Sequence, residues 1–288
     1  MNSLVHILLS ALVVGSAACA RQSDKQPLKV TYVGNEGFLI ECGGRKILID
    51  ALFGGWDADW CQVPPDSVVE LMKAASPPFD NVDLIAVTHA HVDHFDAEIV
   101  AAHMKNNPRG ILVCSEQTRQ KLDSAGYGAD IGDRIRVVPA SGDSGLAMQI
   151  AGIGLTVFPT PHGAYWETDE KTGERVNRHR NVQHLEFVFS IGGRIIYHSG
   201  DSSFNDFERY HSSGLDRFQI DLAFLQWWCA WNAGGVQQKV VREVIRPDRI
   251  IVMHLPPGKE LPPQRQEQKP LAGDIIVPRQ PMEKWNIR

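Results

Sequence analysis

The chain has 288 residues, of which 43% are hydrophobic and 22% charged, and its 29 basic and 34 acidic side chains give a formal charge of −5. This balance is typical of globular proteins and excludes a disordered or low-complexity polypeptide. The pI of about 6.1 argues against a dedicated nucleic-acid binder, so we expect no nucleic-acid partner. At this length the chain forms either one α/β domain or two small domains.

The N-terminal segment, residues 1–20, contains no Asp, Glu, Lys or Arg. Its apolar stretch Ile7–Val14 is followed by small residues that end in Ala18-Cys19-Ala20, a pattern typical of a signal peptide. Cleavage after Ala20 and lipoprotein processing before Cys19 both stay open, as does the alternative of an N-terminal core helix or an uncleaved anchor. The sequence therefore predicts an exported protein, either periplasmic or anchored by lipid to a bacterial envelope.

Four further cysteines follow this segment, at Cys42, Cys61, Cys114 and Cys229. Their spacing resembles neither a zinc knuckle nor a C-x-x-C redox pair. The sequence leaves open whether they are free or form one or two disulfide bridges.

The first part of the chain is predicted to be rich in strands. Alternating apolar and polar residues predict strands over Leu28–Val33, Phe38–Glu41 and Arg45–Asp50. Helices are predicted over Ser67–Ala75, Asp96–Lys105 and Ser115–Ala125. Apolar runs predict further strands over Val82–Thr88, Ile111–Cys114, Arg134–Val138, Leu146–Ile150 and Leu155–Phe158.

A polar loop over residues 163–182 precedes the second part of the chain. Strands are predicted there over Leu185–Ser190, Arg194–His198, Ile220–Leu225 and Arg249–Met253, and helices over Phe204–His211 and Val236–Ile245. We expect the main domain to span residues 28–270. Residues 271–288 are expected to be a C-terminal tail that runs over the surface.

Two Gly-Gly-Arg segments suggest an internal repeat. Residues 40–50 and 190–201 each contain a hairpin whose second strand ends near an acid, Asp50 or Asp201. Such short patterns also arise by chance. If the two halves are related, two sheets pack face to face between outer helices, which predicts an α/β fold of the αββα four-layer sandwich type.

The strongest motif is the run of residues 88–94, Thr-His-Ala-His-Val-Asp-His, which directly follows an apolar strand. In extended backbone the side chains of His89 and His91 project from one face about 6.5–7 Å apart, so both can bind one cation. The chain turns where the strand ends, and Asp93 and His94 are then directed at a second cation. The spacing predicts a metal site.

A site with two cations needs further ligands, and we expect them at other strand ends. His162, Asp201 and His254 each come directly after a predicted strand, in the same position as the histidine cluster. This shared placement, more than the residue type, selects them as candidate metal ligands.

The remaining histidines and several aromatic residues are assigned by position. His103 and His211 on predicted helices are expected to face solvent, and His198 to pack within its strand. His179 and His184 flank the polar loop and are candidate substrate contacts.

Six of the seven Trp residues, with Phe53 and Tyr165, fall in predicted loops near the metal site. They would form an aromatic wall for an apolar or ring-bearing substrate, with Trp56, Trp166 and Trp228 as contacts, or they would anchor long loops. The loop residues Lys171, Arg175, Arg178 and Arg180 either bind a phosphate or carboxylate or form a solvated face.

With these motifs in this order, the chain resembles the metallo-β-lactamase fold superfamily over about residues 28–255. The resemblance implies a first metal ion bound by His89, His91 and His162, a second bound by Asp93, His94 and His254, and Asp201 as the bridge between them. It also implies that Asp50 orients the ligands from behind.

At two positions the sequence differs from well-known branches of the superfamily, and these differences limit the branches that it resembles. Asp201 stands where the best-known zinc β-lactamases carry Cys, so penicillin-type hydrolysis is not favoured. The Thr-Pro-His162-Gly motif lacks the Gly-His-Thr/Ser form of the glyoxalase II and lactamase branches. It is more similar to the lactonase-like and phosphodiesterase-like branches.

The implied ligand set suits two divalent ions, Zn²⁺ first, with Mn²⁺ or Fe²⁺ as alternatives. Such a pair would hold a hydroxide, oriented by Asp93 as the catalytic residue, for attack on an ester, lactone or phosphodiester of a small molecule. The predicted function is an exported dinuclear metallohydrolase. A non-catalytic metal- or ligand-binding envelope protein on the same fold and a mononuclear iron oxygenase stay open as alternatives.

Overall fold

Two seven-stranded sheets and a separate two-stranded hairpin dominate the computed structural model, which describes residues 25–139, 141–142, 144–230, 235–261 and 271–288. The strands are β1 (Leu28–Gly34), β2 (Gly37–Cys42), β3 (Arg45–Ile49), β4 (Leu84–Ala86), β5 (Ile111–Ser115), β6 (Ile135–Val138), β7 (Leu146–Ile150), β8 (Ile153–Pro161), β9 (Trp166–Thr168), β10 (Arg175–Asn177), β11 (Gln183–Ile191), β12 (Arg194–His198), β13 (Leu222–Gln226), β14 (Arg249–Met253), β15 (Asp274–Ile276) and β16 (Lys284–Ile287).

The helices lie on the outer faces of the two sheets. They are α1 (Asp66–Lys73), α2 (Ala97–Asn106), α3 (Glu116–Ser124), α4 (Gly128–Ile131), α5 (Phe207–Ser212), α6 (Trp227–Ala230) and α7 (Val236–Lys239), which continues as a π-helical segment over Val240–Ile245. Among the described residues, no helix is both long and apolar enough to cross a membrane. The predicted signal segment, residues 1–20 with Cys19, lies outside the described residues.

The sheets have the same internal arrangement. The first runs in the order β16-β1-β2-β3-β4-β5-β6 and the second in the order β15-β14-β13-β12-β11-β8-β7. In each sheet an antiparallel Gly-Gly-Arg hairpin, β2–β3 or β11–β12, is followed by parallel strands. The tips of these two hairpins touch, because the Cys42 thiol lies 3.6 Å from the Ile191 carbonyl oxygen.

The order of buried residues along the strands explains the layering. In β2, Phe38 and Ile40 pack between the two sheets, whereas Leu39 points to the helices on the other side. Since side chains alternate faces along a strand, a strand that is apolar on both faces must be covered on both. The sheets therefore bury one core between them and one core under each helical layer. This arrangement confirms the predicted αββα sandwich.

The C-terminal residues depart from the prediction. Residues 271–288 were expected to lie outside the domain, but β15 pairs with β14 and β16 pairs with β1, so they supply an edge strand to each sheet. These strands have only three and four residues, which is too short to show a clear alternating pattern. The polar loop over residues 163–182 likewise contains the short hairpin β9–β10.

The four cysteines in the described part of the chain are all buried and free. Burial raises the pKa of the Cys61 and Cys114 thiols to about 12. The thiols therefore behave as small apolar core residues rather than as nucleophiles.

His103 was expected to face solvent and is instead fully buried on α2. Its Nδ1 lies 2.7 Å from the Met72 carbonyl oxygen at the end of α1, which makes it the donor in a helix–helix contact. Burial lowers the pKa of His103, although the bond to Met72 works in the opposite direction.

We expect His103→Gln to lower the free energy of unfolding by roughly 1–2 kcal/mol at pH 7.5, since a buried hydrogen bond is weakened. In the unfolded chain His103 is protonated below its usual pKa of about 6.5, whereas in the folded protein its lowered pKa keeps it neutral at that pH. The free energy of unfolding of the wild type therefore decreases as the pH falls. The difference between the two proteins should therefore shrink through pH 6.5. Urea unfolding of the wild type and of His103→Gln between pH 5.5 and 7.5 measures this difference in the free energy of unfolding. The contribution of the metal centre is the same in both proteins and cancels. A difference that does not change with pH would contradict it.

Candidate metal centre

The candidate ligands all lie at one edge of the sandwich. The strands β1, β3 and β4 run in one direction in the first sheet, as do β8, β12 and β14 in the second, so their carboxyl ends meet there. Each of these ends is followed by polar residues of the site. The two sheets thus bring together side chains that are distant in the sequence.

Three imidazoles form the first group. The Nε2 atom of His89 lies 2.9 Å from Nδ1 of His91 and 3.2 Å from Nε2 of His162. Together with a carboxylate oxygen of Asp201, these atoms all lie within 4.8 Å of one another. Three imidazoles that converge in this way can present their ring nitrogens to a common point, as a metal ion requires.

Asp93, His94 and His254 form the second group, with ligand atoms also within 4.8 Å of one another. The Oδ2 atom of Asp93 lies 3.5 Å from Nε2 of His94 and 3.8 Å from Nε2 of His254. The left-handed backbone of His254, with φ of 58°, turns its ring back towards the site at the end of β14.

Asp201 lies between the two groups. Its Oδ2 atom is 3.3 Å from Nε2 of His162 and 3.7 Å from Nε2 of His94. Its Oδ1 atom is 3.5 Å from Nε2 of His254. One carboxylate therefore faces both groups, and all seven predicted metal ligands come together.

Outer hydrogen bonds hold the ligand rings in place. Asp50 accepts from the backbone N–H of Thr88 at 2.8 Å and from its hydroxyl at 2.6 Å, and it lies 2.9 Å from Nδ1 of His94. The Thr88 hydroxyl oxygen is 3.0 Å from Nδ1 of His89, and the Gly163 carbonyl is 2.7 Å from Nδ1 of His162. With Nδ1 turned outward to these partners, Nε2 of each ring faces the inner side, where a metal ion would bind. Asp50 thus occupies the position behind the ligands that the resemblance implied.

Burial and the neighbouring charges suit a cation. Burial and the neighbouring His94 lower the pKa of His89 well below its usual value, and burial with the neighbouring His162 lowers that of His91 to about 4. Burial would raise the pKa of Asp201, but His254 and His162 hold it well below its usual value. His89 and His91 are therefore neutral and the Asp201 carboxylate is ionised.

Two ligand atoms of the centre are among the buried polar atoms that lack a hydrogen-bond partner in the described residues: Nε2 of His94 and Oδ1 of Asp201. Unpartnered buried polar atoms are costly, and both are of the kinds that bind divalent metal ions. The donor set and these unsatisfied atoms fit a metal centre.

Two further residues of the site were not predicted. The side-chain N–H of Asn35 donates to Oδ2 of Asp93 at 2.8 Å, and Glu36 is fully buried beside His94. Burial and the charge of Asp201 raise the pKa of Glu36 well above its usual value. The tight turn between β1 and β2 is a strand end on the same edge, so its position alone was a signal for both residues.

The candidate substrate contacts have different outcomes. The Nδ1 atoms of His179 and His162 lie 3.1 Å apart. His179 and Trp228 both line a cavity beside the centre. His184 is buried behind the ligands, where its Nδ1 lies 2.9 Å from the Thr160 hydroxyl, so it does not face the cavity.

Trp56 and Trp166 do not line the cavities at the metal centre either. Trp56 stacks on Trp60, and it is Trp60 that lines the larger cavity. Trp166 is half-exposed on β9, where the guanidinium of Arg175 lies over its ring. Trp56 and Trp166 therefore contact residues of their own segments and do not form part of an aromatic wall over the metal centre.

Comparison with known proteins places this architecture in a family. The family model described as the beta-lactamase superfamily domain matches residues 45–254, well over half of the chain. A metal-dependent hydrolase of Pelotomaculum thermopropionicum is 29% identical over 229 residues, which cover 79% of this chain and 84% of that protein. Another from Pyrococcus abyssi is 26% identical over 249 residues, covering 86% and 93%.

Solved structures share the fold. The metallo-β-lactamase fold protein YhfI of Bacillus subtilis superimposes with a TM-score of 0.56 at 15% identity, covering 91% of this chain and all of that one. A metallo hydrolase of Ignicoccus hospitalis gives a TM-score of 0.54 at 17% identity, covering 91% and 99%. The sandwich, the ligand-bearing strand ends and the match to the family model together establish that the chain belongs to the β-lactamase superfamily and has the metallo-β-lactamase fold.

Proposed function

We propose that the protein is a dinuclear metal-dependent hydrolase of small-molecule substrates. The observation that carries the proposal is the position of Asp201, one carboxylate within 3.3–3.8 Å of ligand nitrogens from both groups. A shared anionic ligand is what two adjacent divalent ions need in order to lie close together. The relatives that carry the name metal-dependent hydrolase support the same activity.

The residues of the chain have separate roles in this proposal. Bound divalent ions lower the pKa of water towards about 7 and polarise a carbonyl or phosphoryl group. His89, His91 and His162 would hold one ion, and Asp93, His94 and His254 the other. Asn35 fixes the orientation of the Asp93 carboxylate, which is placed to accept a hydrogen bond from the attacking water.

Protonation in the site agrees with these roles. Burial would raise the pKa of Asp93, but the charge of His94 holds it below its usual value. The carboxylate is therefore ionised at neutral pH and can accept a proton. No step needs a serine or cysteine nucleophile, and the cysteines of the described chain are buried with raised thiol pKa values.

The metal, the location and the partners complete the proposal. The imidazole and carboxylate donors favour Zn²⁺, with Mn²⁺ or Fe²⁺ as alternatives. The N-terminal segment supports export to the periplasm or envelope, with a lipid on Cys19 under the lipoprotein route. A small-molecule substrate, an ester, lactone or phosphodiester, is the proposed partner, and nucleic acid is not.

Metal analysis combined with an activity panel tests this function. We expect about two metal ions per purified chain, and turnover of ester, lactone or phosphodiester probes that a chelator abolishes and added Zn²⁺ or Mn²⁺ restores. Full activity in a metal-free preparation would falsify the proposal. Bound metal without turnover of any probe would instead show a binding protein, and one iron per chain with oxygen consumption would show an oxygenase.

A further inference from the structure

Two cavities meet at the metal centre. One, of about 290 Å³, opens on the side of His162, and the other, of about 730 Å³, opens on the side of His91 and Asp93. Both are bounded by Asp201 and His254 below and by residues of the 163–182 loop above. A scissile bond at the metal ligands would therefore have space for a group on each side.

From this arrangement we infer that the substrate is a neutral carboxylic ester, with a compact alcohol part in the small cavity and an extended apolar acyl chain in the large one. The inference rests on the proposed hydrolase function and specifies its substrate. In the reaction, water adds to the carbonyl carbon and the bond to the alcohol oxygen breaks. The products are a carboxylate, the alcohol and one proton.

Apart from the candidate metal ligands His162, Asp201 and His254, the small cavity has an uncharged lining. Ser203, Asn205 and Gln237 contribute a hydroxyl and two amides, and the rings of Trp228 and Tyr165 contribute flat apolar surface. Among the described residues that line it there is no lysine or arginine. Such a lining suits a small uncharged group with a ring or a few polar atoms.

The large cavity is more apolar and continues away from the metals. Trp60, Val92 and Tyr165 line it, and it shares His91, Val92 and Lys121 with an adjoining groove of about 790 Å³. That groove runs along α3, past the apolar residues Phe95, Ala125 and Val182 and past the polar side chains of Asp96, Gln117 and Gln120. Most of the exposed surface of the combined space is apolar, which suits an alkyl or acyl chain.

The cations near the site do not favour an anionic substrate. The Lys121 ammonium, which lines the large cavity and the groove, donates to the Ala90 carbonyl oxygen. In the 163–182 loop, Arg178 pairs with Glu167 at 3.0 Å and Arg175 lies over the ring of Trp166. Neither arginine lines the cavities at the centre, which favours a carboxylic ester over a phosphodiester.

A series of p-nitrophenyl esters tests the inference on the metal-loaded protein. From acetate to octanoate, kcat/KM is expected to rise by up to about fourfold for each added methylene, as full burial of that group allows. The anionic probe bis(p-nitrophenyl) phosphate should be turned over more slowly than any of the esters. A value that does not depend on chain length, or faster turnover of the phosphodiester, would overturn the inference.

A variant that blocks the groove gives an independent readout. Ala125 is exposed at the end of α3 and lines the far part of the groove. Ala125→Trp should lower kcat/KM for octanoate at least tenfold and leave acetate unchanged, and Ser124→Trp serves as a second blocking variant. Ala129→Trp, at an exposed alanine of α4 away from the groove, is the matched control and should change neither.

The outcomes separate the two proposals. Equal loss on acetate and octanoate, or loss on neither, in both blocking variants overturns the assignment of the groove to the acyl chain. Two bound metals without turnover of any ester, lactone or phosphodiester probe overturn both the inference and the hydrolase function, whereas turnover of the phosphodiester without turnover of any ester overturns the inference alone. Turnover of esters that does not depend on acyl length leaves the hydrolase function standing and overturns the inference alone.

Discussion

Replacing Asp201 with asparagine is expected to reduce the metal content from two ions to one per chain and to lower kcat/KM by about 10³-fold. The amide is uncharged and has only one oxygen, so it cannot face both ligand groups as the carboxylate does. A decrease of about 10³-fold in kcat/KM corresponds to a loss of several kcal/mol in the electrostatic stabilisation of the transition state. Metal analysis after gel filtration and ester or phosphodiester kinetics measure the two effects.

Asp130→Asn is a suitable control, because Asp130 is exposed on α4 and the substitution removes the same charge far from the site. It should leave both metal content and activity unchanged. If Asp201→Asn instead retained two ions with wild-type kinetics, Asp201 would not be the shared ligand and the proposed centre would be wrong.

The second large effect is expected at Asp50. Asp50→Ala removes the acceptor for the Thr88 N–H, the Thr88 hydroxyl and Nδ1 of His94 in one step. We expect the metal at Asp93, His94 and His254 to bind 10- to 100-fold more weakly, the usual effect of losing an outer partner of a ligand. The other metal should be affected less, because His162 keeps its own bond to Gly163.

Stability should fall with the same substitution. Two or three buried donors lose their acceptor, and each costs about 1–3 kcal/mol. Competition with a chromophoric chelator resolves the two metal affinities, and urea unfolding gives the stability. Asp50→Asn keeps one acceptor oxygen and should have an intermediate effect. Equal weakening at both metals would show that Asp50 supports the whole edge rather than His94.

The strand-end rule explains why the ligand set was predictable from the sequence. His162, Asp201 and His254 were selected because each follows a β-run, and parallel strands do bring those ends to one edge. The turn between β1 and β2 was passed over, although Asn35 and the acid Glu36 follow a strand there and lie at the same edge.

Other features depend on contacts that a linear pattern does not contain. His103 is buried because α1 packs on α2, and neither helix alone shows which of its residues meet the other. The positions of the Trp56 and Trp166 side chains depend on the path of the backbone around them, and Trp56 stacks on Trp60. The three- and four-residue strands β9, β10, β15 and β16 are too short for periodicity to indicate.

The pairing of β16 with β1 has a consequence for biosynthesis. Leu28, near the start of the domain, is opposite Ile287, so the first sheet has an unpaired border until residues 284–287 have been translated. A nascent polypeptide cannot close this border while those residues are still inside the ribosome. The same neighbourhood of the two ends makes a circularly permuted gene, with residue 288 joined to residue 28 through a short linker, geometrically feasible.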